Sequence, residues 1–210
     1  EWMHELPPMR HVTRGTVVDV HHAILPLTAR ISPDSRKLLA SSRPIVDDSA
    51  FKILSPVDMV LHAASHLFHN EELSSGLRDL IDLDSLLNEF SAEQDFWKRL
   101  IDRAFELQLS RALYYALHCL IGILATSIPG GVLAAISSAS PPRAVAALMS
   151  VLFARALRPH HPSARDALTP IAVKLLYVRA HWLRMPPLLL LRHLTIKAFR
   201  REEIEDRDRV

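Results

Sequence analysis

Glycine is scarce in this chain, at 5 of 210 residues, and cysteine occurs once, as Cys119. Few glycines beside abundant leucine and alanine favour helices. A single cysteine excludes an internal disulfide and points to a reducing compartment, hence to the cytoplasm. Set in an apolar helical stretch, Cys119 reads as an inert core residue. Charge of one sign is lacking too. Lys and Arg total 25 against 23 Asp and Glu, a formal net charge of +2, so there is no global signature of polyanion binding. The first residues are polar and charged, without the apolar stretch of a signal peptide. No window of about 20 residues is both strongly apolar and free of charge, which argues against a transmembrane span. The nearest candidate, Tyr114 to Ile136, is interrupted by Pro129, Gly130 and Gly131 and reads better as a buried helical hairpin. The sequence holds no internal repeat and no low-complexity segment.

What is present is apolar content of 49%, enough for one good core. Residues 1–15 read as irregular. Thr16 to Leu25 reads as a strand, rich in β-branched valine and bounded by Pro26. Loops marked by Pro33 and Pro44 flank a short helix near Arg36 to Leu39, and Val46 to Ile53 reads as extended. Ser55-Pro56-Val57-Asp58 then opens a helix. Ser55 suits the cap, Pro56 the first helical position, and Asp58 stands where a capping box places its acid. Helical periodicity predicts further helices over 77–90, 92–108 (capped by Ser91), 110–125, 143–157, 170–184 and 188–205. The fold class is therefore α+β and mainly α: a short sheet followed by a multi-helix bundle.

Three groups of residues invite a chemical reading. Asp19 lies in the valine-rich strand, where alternation puts it on one face with His21 and puts His22 on the other. A carboxylate in such a strand must be paired, protonated or metal-bound. Either a salt bridge or a metal site shared by Asp19 and His21 answers this. His62, His66 and His69 recur at helical spacing, and Asp79 and Asp82 follow on the next helix. This pattern suits a metal site, but the His-Glu-x-x-His signature is absent, and a structural polar pair between His66 and Asp79, with His62 beside it, is favoured. Arg179, His181, Arg184, Arg192, His193, Lys197, Arg200 and Arg201 make the C-terminal helices basic. Such a face suits a solvated surface, a protein partner, an anionic membrane surface or RNA.

Taken in order, Val18 to His22, Leu54 to His66 and Leu77 to Leu87 resemble a family of bacterial nucleotidyltransferases of the polymerase-β-like superfamily. In that family an Asp-His strand precedes a helical region with paired histidines and then an Asp-Leu helix. The resemblance covers roughly residues 10 to 120. It implies transfer of a nucleotidyl group from an NTP to an acceptor, with Mg2+ or Mn2+ as cofactor, and it makes Asp19 the third metal-binding carboxylate. It also implies two parts: residues 1–54 as the end of a nucleotidyltransferase-like α/β region, and 55–210 as a helical domain.

The chain departs from the pattern at its start. The superfamily opens with a Gly-Ser turn and an Asp-x-Asp strand. This sequence has no Gly-Ser pair, and neither of its Asp-x-Asp pairs, Asp82-Leu83-Asp84 in a helical pattern and Asp206-Arg207-Asp208 in the charged run near the end, falls at the start where that strand belongs. The expectation is a C-terminal portion of a longer protein, or a domain whose catalytic half is lost, inactive in isolation and binding no metal or NTP alone. The acceptor is left open. The alternatives are a non-catalytic helical interaction module with a basic C-terminal face and a His/Asp metal-dependent phosphohydrolase.

Overall fold

The structure, a computed structural model, describes residues 5–46 and 50–190. It is mainly helical, with two small two-stranded antiparallel sheets. In the first sheet β1 (Met9–Arg10) pairs with β2 (Val17–Val18), Met9 opposite Val18. An isolated bridge between Glu5 and His21 extends the hairpin. The strand expected over 16–25 is thus much shorter, because its partner is a brief segment of residues 5–10 and a two-stranded ribbon has little to hold it. The irregular reading of residues 1–15 is corrected likewise. The hairpin turn is organised by His11, whose Nδ1 accepts from the backbone of Thr13 and Arg14, and by Gly15, whose φ of 69° favours glycine.

Helix α1 (Ser35–Ala40) is capped by Asp34, whose carboxylate accepts from the Arg36 N–H at 2.9 Å. The second sheet pairs β3 (Arg43–Pro44) with β4 (Lys52–Ile53). The bundle follows: α2 (Pro56–His69), α3 (Gly76–Phe90), α4 (Phe96–Glu106), α5 (Ser110–Cys119), α6 (Gly130–Ile136), α7 (Arg143–Ala156) and α8 (Thr169–Arg184). A π-helical turn, Leu120–Leu124, prolongs α5 and ends at Ala125 in a left-handed conformation. One boundary differs from expectation. Ser91 caps the end of α3, its N–H donating to the Leu87 carbonyl, so α4 starts only after a left-handed Asp95. After the break at Pro129 the chain forms α6, the second arm of the expected helical hairpin. No helix among the described residues is long and apolar enough to cross a membrane. The expected last helix, with Arg192, His193, Lys197, Arg200 and Arg201, lies largely outside the described residues, as do Asp47 and Asp48.

Helix α2 is central, packing on α3, α4, α5 and α8. Its buried Val57, Val60, Leu61, Ala64, Leu67 and Phe68 follow the helical period that the sequence shows. Phe68 meets Phe153 of α7 edge to face at 4.8 Å and stacks on Tyr115 of α5. At the start of α3 a side chain at Gly76 would come within 2.6 Å of Leu157 Cδ2, so glycine lets α3 approach the end of α7.

A buried polar cluster locks the N-terminal segment to the bundle. Asp58 is fully buried. It accepts from Arg103 Nε at 2.8 Å and Nη2 at 3.1 Å, and from the hydroxyls of Ser55 and Ser41. Ser55 Oγ in turn accepts the Asp58 N–H, the expected cap. The acid of this cap thus turns inward to an arginine on α4, and the same guanidinium donates to the Lys37 carbonyl of α1.

The end of α8 is clasped by the segment after the first hairpin. Arg30 donates its backbone N–H to the Leu183 carbonyl (2.9 Å) and its Nε to the Trp182 carbonyl, and Thr28 Oγ1 donates to the Arg184 carbonyl. These are carbonyls that a helix end leaves without partners, and a guanidinium suits the negative end of the helix dipole. The Arg30 guanidinium also lies 4.2 Å from the centre of the Trp182 ring.

Candidate functional site

The hairpin, α2 and the clasped end of α8 enclose a cleft of about 460 Å³. One wall is Glu5, His21, Ile24, Leu25 and Pro26. The other is the α2 face carrying His62, Ser65, His66 and His69, with Asn70 after it and Arg184 of α8 at the edge. Helical spacing puts His62, His66 and His69 on one face of α2, and the bridge at His21 brings in a fourth imidazole from the hairpin.

His69 is buried, and its Nδ1–H donates to the Ser65 carbonyl at 3.1 Å. Burial pulls its pKa down from 6.5 to about 4, and Arg179 and Arg184 press in the same direction. His62 is lowered as well, first by desolvation, then by His66 and His21. Ser65 is fully buried, and its Oγ has no hydrogen-bond partner among the described residues. At the edges His21 Nε2 lies 3.4 Å from Glu5, and Glu71 stands 3.4 Å from Arg184 and 3.1 Å from His181 Nε2.

The low pKa of His69 has a consequence for stability. Its folded value lies below its ordinary one, so between pH 6.5 and about 4 the unfolded chain takes up a proton that the folded chain refuses. Stability is unaffected by this group above pH 6.5 and falls as pH drops through the window, by up to about 1.4 kcal/mol per pH unit. Urea denaturation at pH 7 and pH 5 should show this loss, and His69→Phe should flatten it. An equal fall in both proteins would refute the assignment.

The sequence-predicted residues are only partly brought together. Asp19 is exposed, two residues before His21, and among the described residues no cation pairs with it. His21 Nε2 faces Glu5 within the hairpin. His62 and His66 line the cleft, while Asp79 sits on α3. No hydrogen bond or ion pair joins His66 to Asp79 among the described residues, because the α2–α3 contact is made by leucines such as Leu67, Leu80 and Leu83. No group of three His, Cys, Asp or Glu side chains is placed to hold a metal ion among the described residues. Asp82 pairs with Arg78, and Asp84 accepts from Thr126 and Asn88. Cys119 is buried, with its thiol pushed up to about 12.

The described part of the basic C-terminal face is turned inward. Arg179 donates to the Phe68 carbonyl and lies over the rings of Tyr115 and Phe153; its pKa is lowered by burial. Glu5, Ser65 and Arg184 were not legible as site residues. Glu5 and Arg184 face partners distant in sequence, His21 and Glu71, and no local motif marks any of the three.

A model of an uncharacterised nucleotidyltransferase family matches residues 1–124, more than half of the chain. The chain belongs to this nucleotidyltransferase family. No curated protein and no solved structure matches it. The nucleotidyltransferase match takes in Asp19 and the cleft from Glu5 to Asn70, and ends before Arg184. Nucleotidyltransferases in general take an NTP and work with divalent metal ions.

Proposed function

We propose that this chain forms the acceptor side of a nucleotidyl-transfer site, with Asp19 as a metal-binding carboxylate and the histidine cleft beside it as the acceptor pocket. The observation that carries the reading is the family match over residues 1–124. Residues 1–54 then belong to the nucleotidyltransferase-like α/β region, and residues 55–210 form the helical part.

The exposed Asp19 carboxylate offers the kind of oxygen ligand that Mg2+ and Mn2+ prefer. One carboxylate does not make a two-ion site, and the described residues supply no three-ligand group around it. The residues therefore do not fit a complete metal centre, and no catalytic step is derived through the ions.

Titration of isotope-labelled protein with Mn2+ tests the assignment by paramagnetic broadening in NMR. Broadening should centre on the amides of residues 17–21 and vanish in Asp19→Asn. Broadening centred instead on Asp82 and Asp84, or none near Asp19, would reject the role.

A further inference from the structure

The cleft has a chemical character that narrows what it can hold. We propose that it takes an uncharged, hydroxyl-rich small molecule, a sugar or cyclic polyol, as the acceptor of the transferred nucleotidyl group. The proposal rests on the reading that places transfer beside Asp19. A volume of about 460 Å³ falls in the range of small-molecule sites and far exceeds the space of a single ion.

A phosphate-bearing ligand would call for uncommitted arginine or lysine, or for aligned backbone N–H groups. The arginine at the cleft edge, Arg184, already faces Glu71 at 3.4 Å. The carboxylate of the cleft, Glu5, faces His21 at 3.4 Å. Glu71 thus answers the charge of Arg184, and the lowered pKa of His62 and His69 keeps those rings neutral near pH 7.

Two groups on α2 ask for a hydroxyl. The His69 Nδ1–H is committed to the Ser65 carbonyl, which leaves Nε2 of the neutral ring as an acceptor. Ser65 Oγ, buried without a partner, is a hydroxyl that needs one. A ligand hydroxyl both donates and accepts, so a hydroxyl-bearing ligand suits an imidazole nitrogen and a serine alike. Opposite them Ile24, Leu25 and Pro26 give an apolar wall for the carbon face of a sugar ring.

Calorimetric titration of the 210-residue chain tests this with a panel of neutral mono- and disaccharides and cyclic polyols, run in parallel with inorganic phosphate and pyrophosphate. At least one neutral polyol should bind saturably. Ser65→Ala should weaken that binding tenfold or more while leaving the melting temperature unchanged or higher, since the variant removes an unpaired buried hydroxyl. His69→Phe should weaken it comparably. Binding of pyrophosphate without any polyol would overturn the proposal, as would polyol binding that neither variant alters, or no saturable binding at all. The Mn2+ experiment at Asp19 separates the two readings. Broadening at Asp19 without polyol binding sinks only the acceptor class, whereas polyol binding without broadening keeps the cleft as a sugar site and sinks the transfer reading.

Discussion

Arg103→Ala is expected to destabilise the protein by about 3–5 kcal/mol, the range found when one partner of a buried ion pair is removed. Arg103 lies almost wholly within the fold and gives two hydrogen bonds to a fully buried carboxylate. Its own pKa is raised, first through the hydrogen bond to Asp58. Without it, the Asp58 carboxylate keeps only the hydroxyls of Ser55 and Ser41, too little for a charge removed from water. The Lys37 carbonyl of α1 loses one of its donors and keeps the N–H and hydroxyl of Ser41. Domains of this kind are stable by about 5–15 kcal/mol in total, so the variant should be unfolded in part at 37 °C. Urea denaturation measures the loss. Asp58→Leu combined with Arg103→Met should recover much of it, because apolar replacement of both partners removes the stranded charge. A loss below about 1 kcal/mol for Arg103→Ala would mean that the pair is no more than a surface salt bridge.

The 210-residue chain is expected to transfer no nucleotidyl group by itself. Two-ion transfer needs several carboxylates gathered around the ions, and losing that geometry removes several kcal/mol of barrier lowering, roughly a thousandfold or more in rate. Among the described residues, Asp19 has no such group around it. The Asp-x-Asp at 82–84 cannot substitute. Both acids lie on α3, where positions two apart point to different sides of the helix, and each already has another partner. Labelled ATP, GTP, CTP and UTP with Mg2+ or Mn2+ should leave the protein, sugar acceptors, protein acceptors and RNA unlabelled. Transfer that disappears in Asp19→Ala would show that this chain assembles the ion site after all.

The helices were legible because their cause is local. Apolar residues at helical spacing fixed α2, α3, α7 and α8 within a few residues, and Ser55-Pro56 marked the start of α2 through the chemistry of the cap. The misreadings were of another kind. The strand through Asp19 depended on a partner, and the partner turned out to be a few residues of a segment with no β pattern of its own. The start of α4 moved because Ser91 closes α3 instead of opening α4. In the site, the histidine face of α2 could be read from spacing, but its destination could not. Whether His62 and His66 met Asp79 or a cleft depended on leucines filling the α2–α3 contact. Asp58 gave the clearest half-reading: its position in the cap was visible, while Arg103, 45 residues later, was not.

The clasp between residues 28–30 and the end of α8 joins parts of the chain more than 150 residues apart. Closing so long a loop is entropically unfavourable until the intervening helices have packed and brought the ends near. The cleft lies where those ends meet, so its walls come together late in folding. On a ribosome the order is stricter still. α2 with its histidines can form early, but the cleft has no closed edge until Trp182, Leu183 and Arg184 have emerged, and a nascent chain has no complete cleft until synthesis has passed the segment on which the family match rests.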